Sequence, residues 1–353
     1  MATISVIISV HNNAKELPAA IKSIVGQSYQ DIEIISIDDG STDGSGELLD
    51  RYANIDNRIK VFHQANAGLG PSLHRACQLA SGGYIARQDA DDISAPTRLE
   101  RQLTYMQEHH KVILCGTWAW FIDEQNKPRF SYEPPDNAQQ LIKLLENGSN
   151  PFVHGSVMFL RSAYEAEGIG YRFQGNSQDY DLWLRLSAFG SFGIVKSVEY
   201  LYWLSVGGVS FGNQARRASM VQLAMRLNAE RKLYGHERTD WLQKQSQIML
   251  DNSFASESQE SQRKTLAAYS DGLNDLMNRD WGGYCSSMRR AAKGTGPMAE
   301  KAKRHVKVGF LAPLVYFHYK NRWRHSHSRY LRPLASKPGL PIYAGKQSDL
   351  VKI

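Results

Sequence analysis

The sequence predicts an α/β fold, a mainly parallel sheet flanked by helices, followed by a mostly helical C-terminal extension. Three observations predict it. Short β-rich apolar runs alternate with segments of helical period over the first 120 or so residues. Acidic clusters stand at the ends of two of those runs, where open parallel sheets bind their ligands. From about residue 213 the pattern becomes mostly helical.

The elements follow in order. Ile4–Val10 is a β-rich apolar run, and Leu17, Ile21, Ile24 and Val25 then recur at helical spacing. Ile32–Ile37 is a second strand, running into Asp38, Asp39 and Gly40. Thr42 or Asp43 is placed to cap a helix carrying Leu48, Leu49 and Tyr52. Arg58–Phe62 reads as a third strand, Leu73, Ala76, Cys77 and Ala80 mark a helix, and Gly83–Arg87 is a fourth strand leading to Asp89-Ala90-Asp91-Asp92. Ser94 is the expected N-cap of the next helix, with Pro96 in its first turn. Val112–Gly116 is a fifth strand. Phe121–Asn150 reads as loop-rich, with Pro128, Pro134 and Pro135. Val153–Leu160 reads as a strand, Tyr180–Phe189 as a helix and Tyr200–Leu204 as a short strand. The expected domains are 1–212, 213–293 and 294–353, the last a basic tail.

Composition narrows the class. The 42% hydrophobic and 22% charged fractions exclude a disordered or fibrous chain. Cys77, Cys115 and Cys285 are odd in number and widely spaced, which argues against a disulfide framework or zinc site and for a reducing compartment. There is no basic n-region and no apolar run long enough to span a bilayer. The expected location is therefore cytoplasmic, or peripheral on the cytoplasmic face of the membrane. The net charge of +7 is concentrated in the tail, since 301–346 holds no Asp or Glu.

Three acidic clusters carry the candidate chemistry. In Asp89-Ala90-Asp91-Asp92, three carboxylates repel one another unless a cation or donors compensate. A D-x-D at a strand end suits Mg²⁺ or Mn²⁺ bridging protein to phosphates; the plainer reading is a solvated acidic turn. Asp38-Asp39-Gly40-Ser41 is either a turn with a helix cap or a carboxylate accepting from a base or ribose. In Gln178-Asp179-Tyr180-Asp181, Asp179 is either an N-cap or a general base on an incoming hydroxyl. Asp181 falls in the first helical turn, where negative charge is favourable. Gly68-Leu69-Gly70 is a turn or a weak phosphate loop; it lacks the Lys and the third Gly of known fingerprints.

The ordered set of segments is more specific than any one of them. ISVIISVHN (Ile4–Asn12), SIVGQSYQDIEIISIDDGSTDGS (Ser23–Ser45), NAGLGPSLHRA (Asn66–Ala76), GGYIARQDADDISAPTRLERQ (Gly82–Gln102), HGSVMFLRS (His154–Ser162) and QDYDLWLRL (Gln178–Leu186) together resemble the inverting family 2 glycosyltransferases of bacterial cell-surface polysaccharide assembly, over roughly residues 3–210. The resemblance implies the GT-A (Rossmann-like) fold and transfer of a sugar from a nucleotide-diphosphate donor, with UDP favoured, to an acceptor hydroxyl. It implies that Asp39 contacts the base, with Ser9, Val10 and His11 lining that pocket through their backbone. Asp89 would lie against the ribose or metal shell, Asp91 would be the principal ligand of Mn²⁺ or Mg²⁺, and Asp179 would be the catalytic base. His154 and Gln178 fall on the acceptor side.

Two departures stand out. Gln178 replaces a common Glu, and Tyr202-Trp203-Leu204-Ser205 replaces a Tyr-Arg-x-His stretch, removing its Arg and His. These keep a non-catalytic nucleotide-sugar-binding subunit in view. A sugar-nucleotide nucleotidyltransferase would need a Gly-rich basic loop after the first strand, and Ser9–Asn13 has none. In the tail, Val308–Phe317 is apolar and flanked by basic residues. It reads either as an interfacial anchor on an anionic leaflet, suited to a lipid-linked saccharide acceptor, or as a run packed on the domain. No recognised motif supports nucleic-acid binding.

Overall fold

The computed structural model describes residues 2–122, 128–172, 177–203 and 214–240, with 244–245, 286, 288–290, 293 and 331–333. Val308–Phe317 and Cys285 lie outside the described residues. The chain divides into two compact units, residues 1–204 with 220–238 and 330–353, and residues 205–219 with 239–329. The first carries every candidate site residue.

That unit is built on β1 (Ile4–Val10), β2 (Ile32–Asp39), β3 (Ile59–Gln64) and β4 (Tyr84–Asp89). They lie in the order β4-β1-β2-β3, all parallel. Such strands are covered on both faces and read as near-continuous apolar runs. Ile4, Val6, Ile8 and Val10 share one core cluster with Leu17, Ile21 and Ile24 of α1 (Leu17–Val25), Leu49 of α2 (Ser45–Ile55) and Leu99, Leu103 and Met106 of α4 (Arg98–Glu108). The alternate residue Ile7 points the other way. Against β1 and β2 also packs α3 (Leu69–Leu79), burying Leu73, Ala76 and Cys77. Cys77 and Cys115 are buried free thiols.

Beyond β4 the sheet turns antiparallel. β8 (Met158–Leu160) is inserted antiparallel between β4 and β6 (Val112–Ile122). On β6 lie β7 (Pro128–Tyr132), antiparallel, and β9 (Ser191–Trp203), parallel. The two-residue β5 (Ile93–Ser94) pairs with β9, and β10 (Leu331–Pro333) with β7. Helices α5 (Ala138–Glu146), α6 (Arg161–Glu167), α7 (Gln178–Leu186) and α8 (Gln214–Tyr234) complete the described elements.

Several local expectations are corrected. Ser94 is not an N-cap: it pairs with Tyr200 in β5–β9 and its buried hydroxyl donates to Gln88 Oε1 (2.7 Å), so α4 starts after Thr97. The residue before α2 is Gly44, in the left-handed region at φ +92°; Asp43 instead accepts from Ser45 N–H (3.0 Å) and Ala14 N–H (2.9 Å). Val153–Leu160 is not one strand, because His154–Ser156 forms a 3-10 turn before β8. The loop-rich stretch contains β7 and α5, the latter capped by Asn137, whose side chain accepts from Gln140 N–H. Tyr200–Leu204 is the end of the much longer β9.

Candidate active site

Strand register fixes the site before any side chain is considered. Ser9 lies opposite Asp89, Val10 opposite Asp38, and Asp39 opposite Gln64. The acidic clusters thus share the carboxyl edge of three adjacent parallel strands, where the peptide groups end and a ligand can sit. Ser9 is half-buried and His11 exposed, whereas the Val10 side chain belongs to the core, so Val10 offers this edge its backbone alone.

Asp39 is 2% exposed and shapes the edge. Its Oδ1 accepts from Gln64 Nε2 (2.7 Å) and Ala67 N–H (2.8 Å), and its Oδ2 from Gly68 N–H (2.9 Å). A carboxylate has about four acceptor positions, so three donors leave one, on Oδ2, for a ligand N–H. Gly68 adopts φ +90°, a region that favours glycine; the Gly68 turn is therefore a structural partner of Asp39. His11 Nδ1 donates to the Asp39 carbonyl (2.9 Å), and Asn66 Nδ2 reaches His11 Nε2 (3.1 Å). The loop after β1 is stitched to the loop after β2 by Asn12 N–H to Ser41 Oγ (3.1 Å), Asn13 N–H to Ser45 Oγ (2.9 Å) and Thr42 N–H to Asn12 Oδ1 (2.8 Å).

In the second cluster the carboxylates differ sharply. Asp89 and Asp91 are half-buried, while Ala90 and Asp92 point into the protein. Asp89 Oδ1 lies 2.6 Å from Arg87 Nη1. Asp91 is pushed up to about 6 by burial and by the neighbouring Asp89, with Glu16 adding to the repulsion. Asp92 is 1% exposed, its Oδ1 accepts from Trp203 N–H (2.7 Å), and burial beside Asp91 and Asp89 drives it well above the usual carboxylate range. Asp92 therefore fastens the end of β9 to the acidic loop.

The 3-10 turn closes over this edge. Gly155 has no room for a side chain: a Cβ there would stand 1.9 Å from Tyr200 Oη and 2.7 Å from Asp89 Oδ2. Tyr200, itself buried, accepts from Asp89 N–H (3.2 Å). We expect Gly155→Ala to displace the Asp89 carboxylate, to cost about 1–3 kcal/mol of stability from overpacking, and to depress activity more than the melting temperature alone would. Paired thermal melts and turnover measurements check this.

On the far side of that turn, His154 Nε2 meets Tyr171 Oη (3.1 Å), and the imidazole ring stands edge-on to Trp183. Burial and the Arg87 charge hold His154 well below its ordinary range, so it is neutral. Burial pushes the Tyr171 hydroxyl well above its ordinary range, and the negative charges of Asp179 and Asp89 add to that. Asp179 is not an N-cap. That position is Ser177, and Asp179 sits inside the first turn of α7, half-buried, accepting from Asn150 Nδ2 (2.7 Å). Gln178 is 4% exposed, with Oε1 enclosed and without a hydrogen-bond partner among the described residues.

A buried charge network holds α7 in place. Asp181, fully buried, accepts from Arg172 Nε (2.9 Å) and Nη2 (2.8 Å) and from Arg185 Nε (3.0 Å). Arg172 also pairs with Glu237 (2.7 Å) and Arg185 with Glu167. The two arginines hold Asp181 below the usual carboxylate range despite its burial. Asp181 is thus structural, and its network orients the turn that carries Asp179.

Residues 5–168 match the model described as glycosyl transferase family 2. The chain is 35% identical over 184 residues to the O-antigen biosynthesis glycosyltransferase WbnJ of Escherichia coli, a match covering 52% of this chain and 71% of WbnJ. It belongs to glycosyl transferase family 2. This glycosyltransferase is also 32% identical over 189 residues to the amylovoran biosynthesis glycosyltransferase AmsE of Erwinia amylovora, with 53% of this chain and 70% of AmsE covered. To the putative glycosyltransferase EpsE of Bacillus subtilis it is 37% identical over 191 residues, with 52% and 66% covered. The chain spans about two thirds of the length of these relatives. Among solved structures, S. aureus TarS 1-349 in complex with UDP-GlcNAc superimposes with a TM-score of 0.54 at 14% identity, covering 95% of this chain and 98% of that one; the likeness shows a shared GT-A fold. Neither Arg87, Tyr171, Tyr200 nor Asn150 was among the residues expected of the transferase site. Arg87 alone carried a sequence signal, lying two residues before Asp89 on one strand and so on the same face.

Proposed function

We propose that this family 2 glycosyltransferase moves a sugar from a nucleoside-diphosphate donor, UDP in the first instance, to a saccharide or lipid-linked saccharide hydroxyl, with inversion, in surface polysaccharide assembly. The observation that carries this reading is the strand register that brings the Asp38-Asp39 and Asp89–Asp92 clusters to one sheet edge; Asp179, in the first turn of α7, takes the base role by family resemblance. The roles of WbnJ in O-antigen and of AmsE in amylovoran biosynthesis, and the UDP-GlcNAc complex of TarS, support the substrate class.

The donor set fits a divalent cation. Asp89 and Asp91 stand one residue apart and half-buried, and burial, with repulsion from Asp89, pushes Asp91 up to about 6. Asp91 would hold Mn²⁺ or Mg²⁺, which supplies positive charge where negative charge grows on the departing diphosphate. The chain's own groups do the rest. Asp39 offers its remaining lone pair to the base, and the backbone of Ser9–His11 walls that pocket. Asp179, held by Asn150, accepts the acceptor proton on the opposite face of the sugar. Gln178 is enclosed, so the loss of a carboxylate at that position leaves Asp179 as the base of this motif.

A thermal-shift screen of nucleotide sugars with and without Mn²⁺ tests the reading. A ligand at 100 times its Kd stabilises by about 2.7 kcal/mol; absence of a Mn²⁺-dependent shift with any nucleoside diphosphate would rule it out. Acidity gives a second handle. Because Asp91 is pushed up to about 6, the folded protein holds that proton more tightly than the unfolded chain. Stability is lost as Asp91 ionises between its ordinary value and about 6, and a cation compensates only the ionised form. Mn²⁺ affinity is therefore expected to be flat above about pH 7 and to fall up to tenfold per pH unit below 6. A pH-independent affinity in Mn²⁺ titrations would contradict this.

The basic stretch 301–346 favours a seat on an anionic leaflet near a lipid-linked acceptor. Equal flotation on anionic liposomes by the full chain and by a form ending at Gly294 would end that idea. Among the described residues, no helix is long and apolar enough to cross a membrane.

A further inference from the structure

Two arginines are fully buried beside the acidic loop, and they are used differently. Arg98 spends its guanidinium on structure: Nε donates to Gln102 Oε1 (3.1 Å), Nη1 to Ser94 Oγ (2.9 Å) and Gln88 Oε1 (3.1 Å), and Nη2 to the carbonyls of Arg87 (2.7 Å) and Val157 (3.2 Å). Its plane also lies against the Tyr200 ring, 5.1 Å from the centroid. Arg87 is 0% exposed, yet Nε and Nη2 meet no partner among the described residues; its close polar contact is the 2.6 Å approach of Nη1 to Asp89 Oδ1. Burying a guanidinium costs several kcal/mol, and good hydrogen bonding is what offsets that cost. An arginine kept for stability alone would be bonded like Arg98.

The backbone leaves Arg87 little freedom. It lies within β4, paired with Ile7 on β1, and its N–H donates to Val157 O (2.9 Å). On the same strand face, Asp89 is confined between this guanidinium and the bare Cα of Gly155. Asp89 is thus flanked on one side by this guanidinium and on the other by the Gly155 backbone.

We propose that Arg87 is a positioning residue, the resident cation of the donor edge, which neutralises Asp89 so that Asp91 alone is open to an added divalent cation. The inference rests on the nucleotide-sugar reading and deepens it: the site is set for one metal ion held by one free carboxylate and completed by phosphate oxygens. The electrostatics agree, since the Arg87 charge reaches Asp91 and opposes the repulsion from Asp89. Without Arg87, Asp89 would become a second carboxylate ligand. Removing one positive charge at such range favours cation binding by an amount that reads as about tenfold in affinity.

The test is a double-mutant cycle on the full-length protein, with free Mn²⁺ read by electron paramagnetic resonance in the absence of nucleotide. Arg87→Met is expected to bind Mn²⁺ about tenfold more tightly than the parent. In the Asp89→Asn background the same change is expected to have no effect, because the released ligand is missing. Arg87→Lys, which keeps the charge, is expected to stay within about twofold of the parent. A purely structural arginine would not tighten metal binding on removal. Unchanged or weaker Mn²⁺ affinity in Arg87→Met, or tightening that persists in Asp89→Asn, overturns the proposal; should Arg87→Met fail to fold, Arg87→Gln is read by the same criteria. A parent protein that binds Mn²⁺ but no UDP defeats the donor reading, and the proposal with it. A parent that binds both, with Arg87→Met unchanged, defeats the Arg87 assignment alone.

Discussion

Asp179→Asn is expected to abolish transfer while leaving donor binding nearly intact. The substitution preserves size, and the asparagine Oδ1 can still accept from Asn150 Nδ2, so the first turn of α7 has no reason to move. Asp181, Arg172 and Arg185 hold that turn independently of residue 179. What is lost is an acceptor for the proton of the attacking hydroxyl. A positioned base contributes roughly 10²–10⁴-fold, so turnover should fall by at least about a hundredfold. UDP affinity by calorimetry should change by less than about threefold. Normal turnover would remove Asp179 from the role of base.

The second large effect is at Asp91. Asp91→Ala removes the carboxylate whose burial, with the nearby Asp89, makes its ionised form unfavourable without a cation. Asp92 cannot replace it, being enclosed and bonded to Trp203 N–H, and Asp89 is paired with Arg87. We expect Mn²⁺-dependent UDP binding to vanish in calorimetry. Turnover should fall by about 10³-fold, the scale of losing a preorganised charge at a developing anion. The fold should tolerate the change, because an ionised carboxylate at that half-buried place is itself unfavourable. Retained Mn²⁺ dependence in Asp91→Ala would place the cation elsewhere.

Much of this was legible in the amino-acid order, for identifiable reasons. Strands β1 and β2 are buried on both faces, so they show as unbroken apolar runs, and their ends bring Asp38-Asp39 and Asp89–Asp92 to one edge. The ends of elements were harder to read. Ser94 resembles an N-cap locally, but its pairing with Tyr200 is a contact across more than 100 residues. Pro134 and Pro135 obscured α5, although Asn137 and the spacing of Leu141 and Leu145 marked it. The length of β9 depends on pairing with β6, which propensity does not encode.

The site divides along the same line. The carboxylates announced themselves through clustering, whereas the groups that bond to site residues, Asn150 to the Asp179 carboxylate, Tyr200 to the Asp89 backbone N–H and Tyr171 to His154, come from distant segments and leave no local pattern. The Asp39 carboxylate also serves a purpose its spacing could not reveal, holding the Gly68 turn with two backbone N–H groups.

The most direct measurement is a crystal structure of this protein with UDP and Mn²⁺. The base is expected beside Asp39, Mn²⁺ on the Asp91 carboxylate, and Asp179 across the space left for the sugar. A nucleotide bound away from the carboxyl ends of β1, β2 and β4, or a metal ion whose ligands exclude Asp91, would contradict the account.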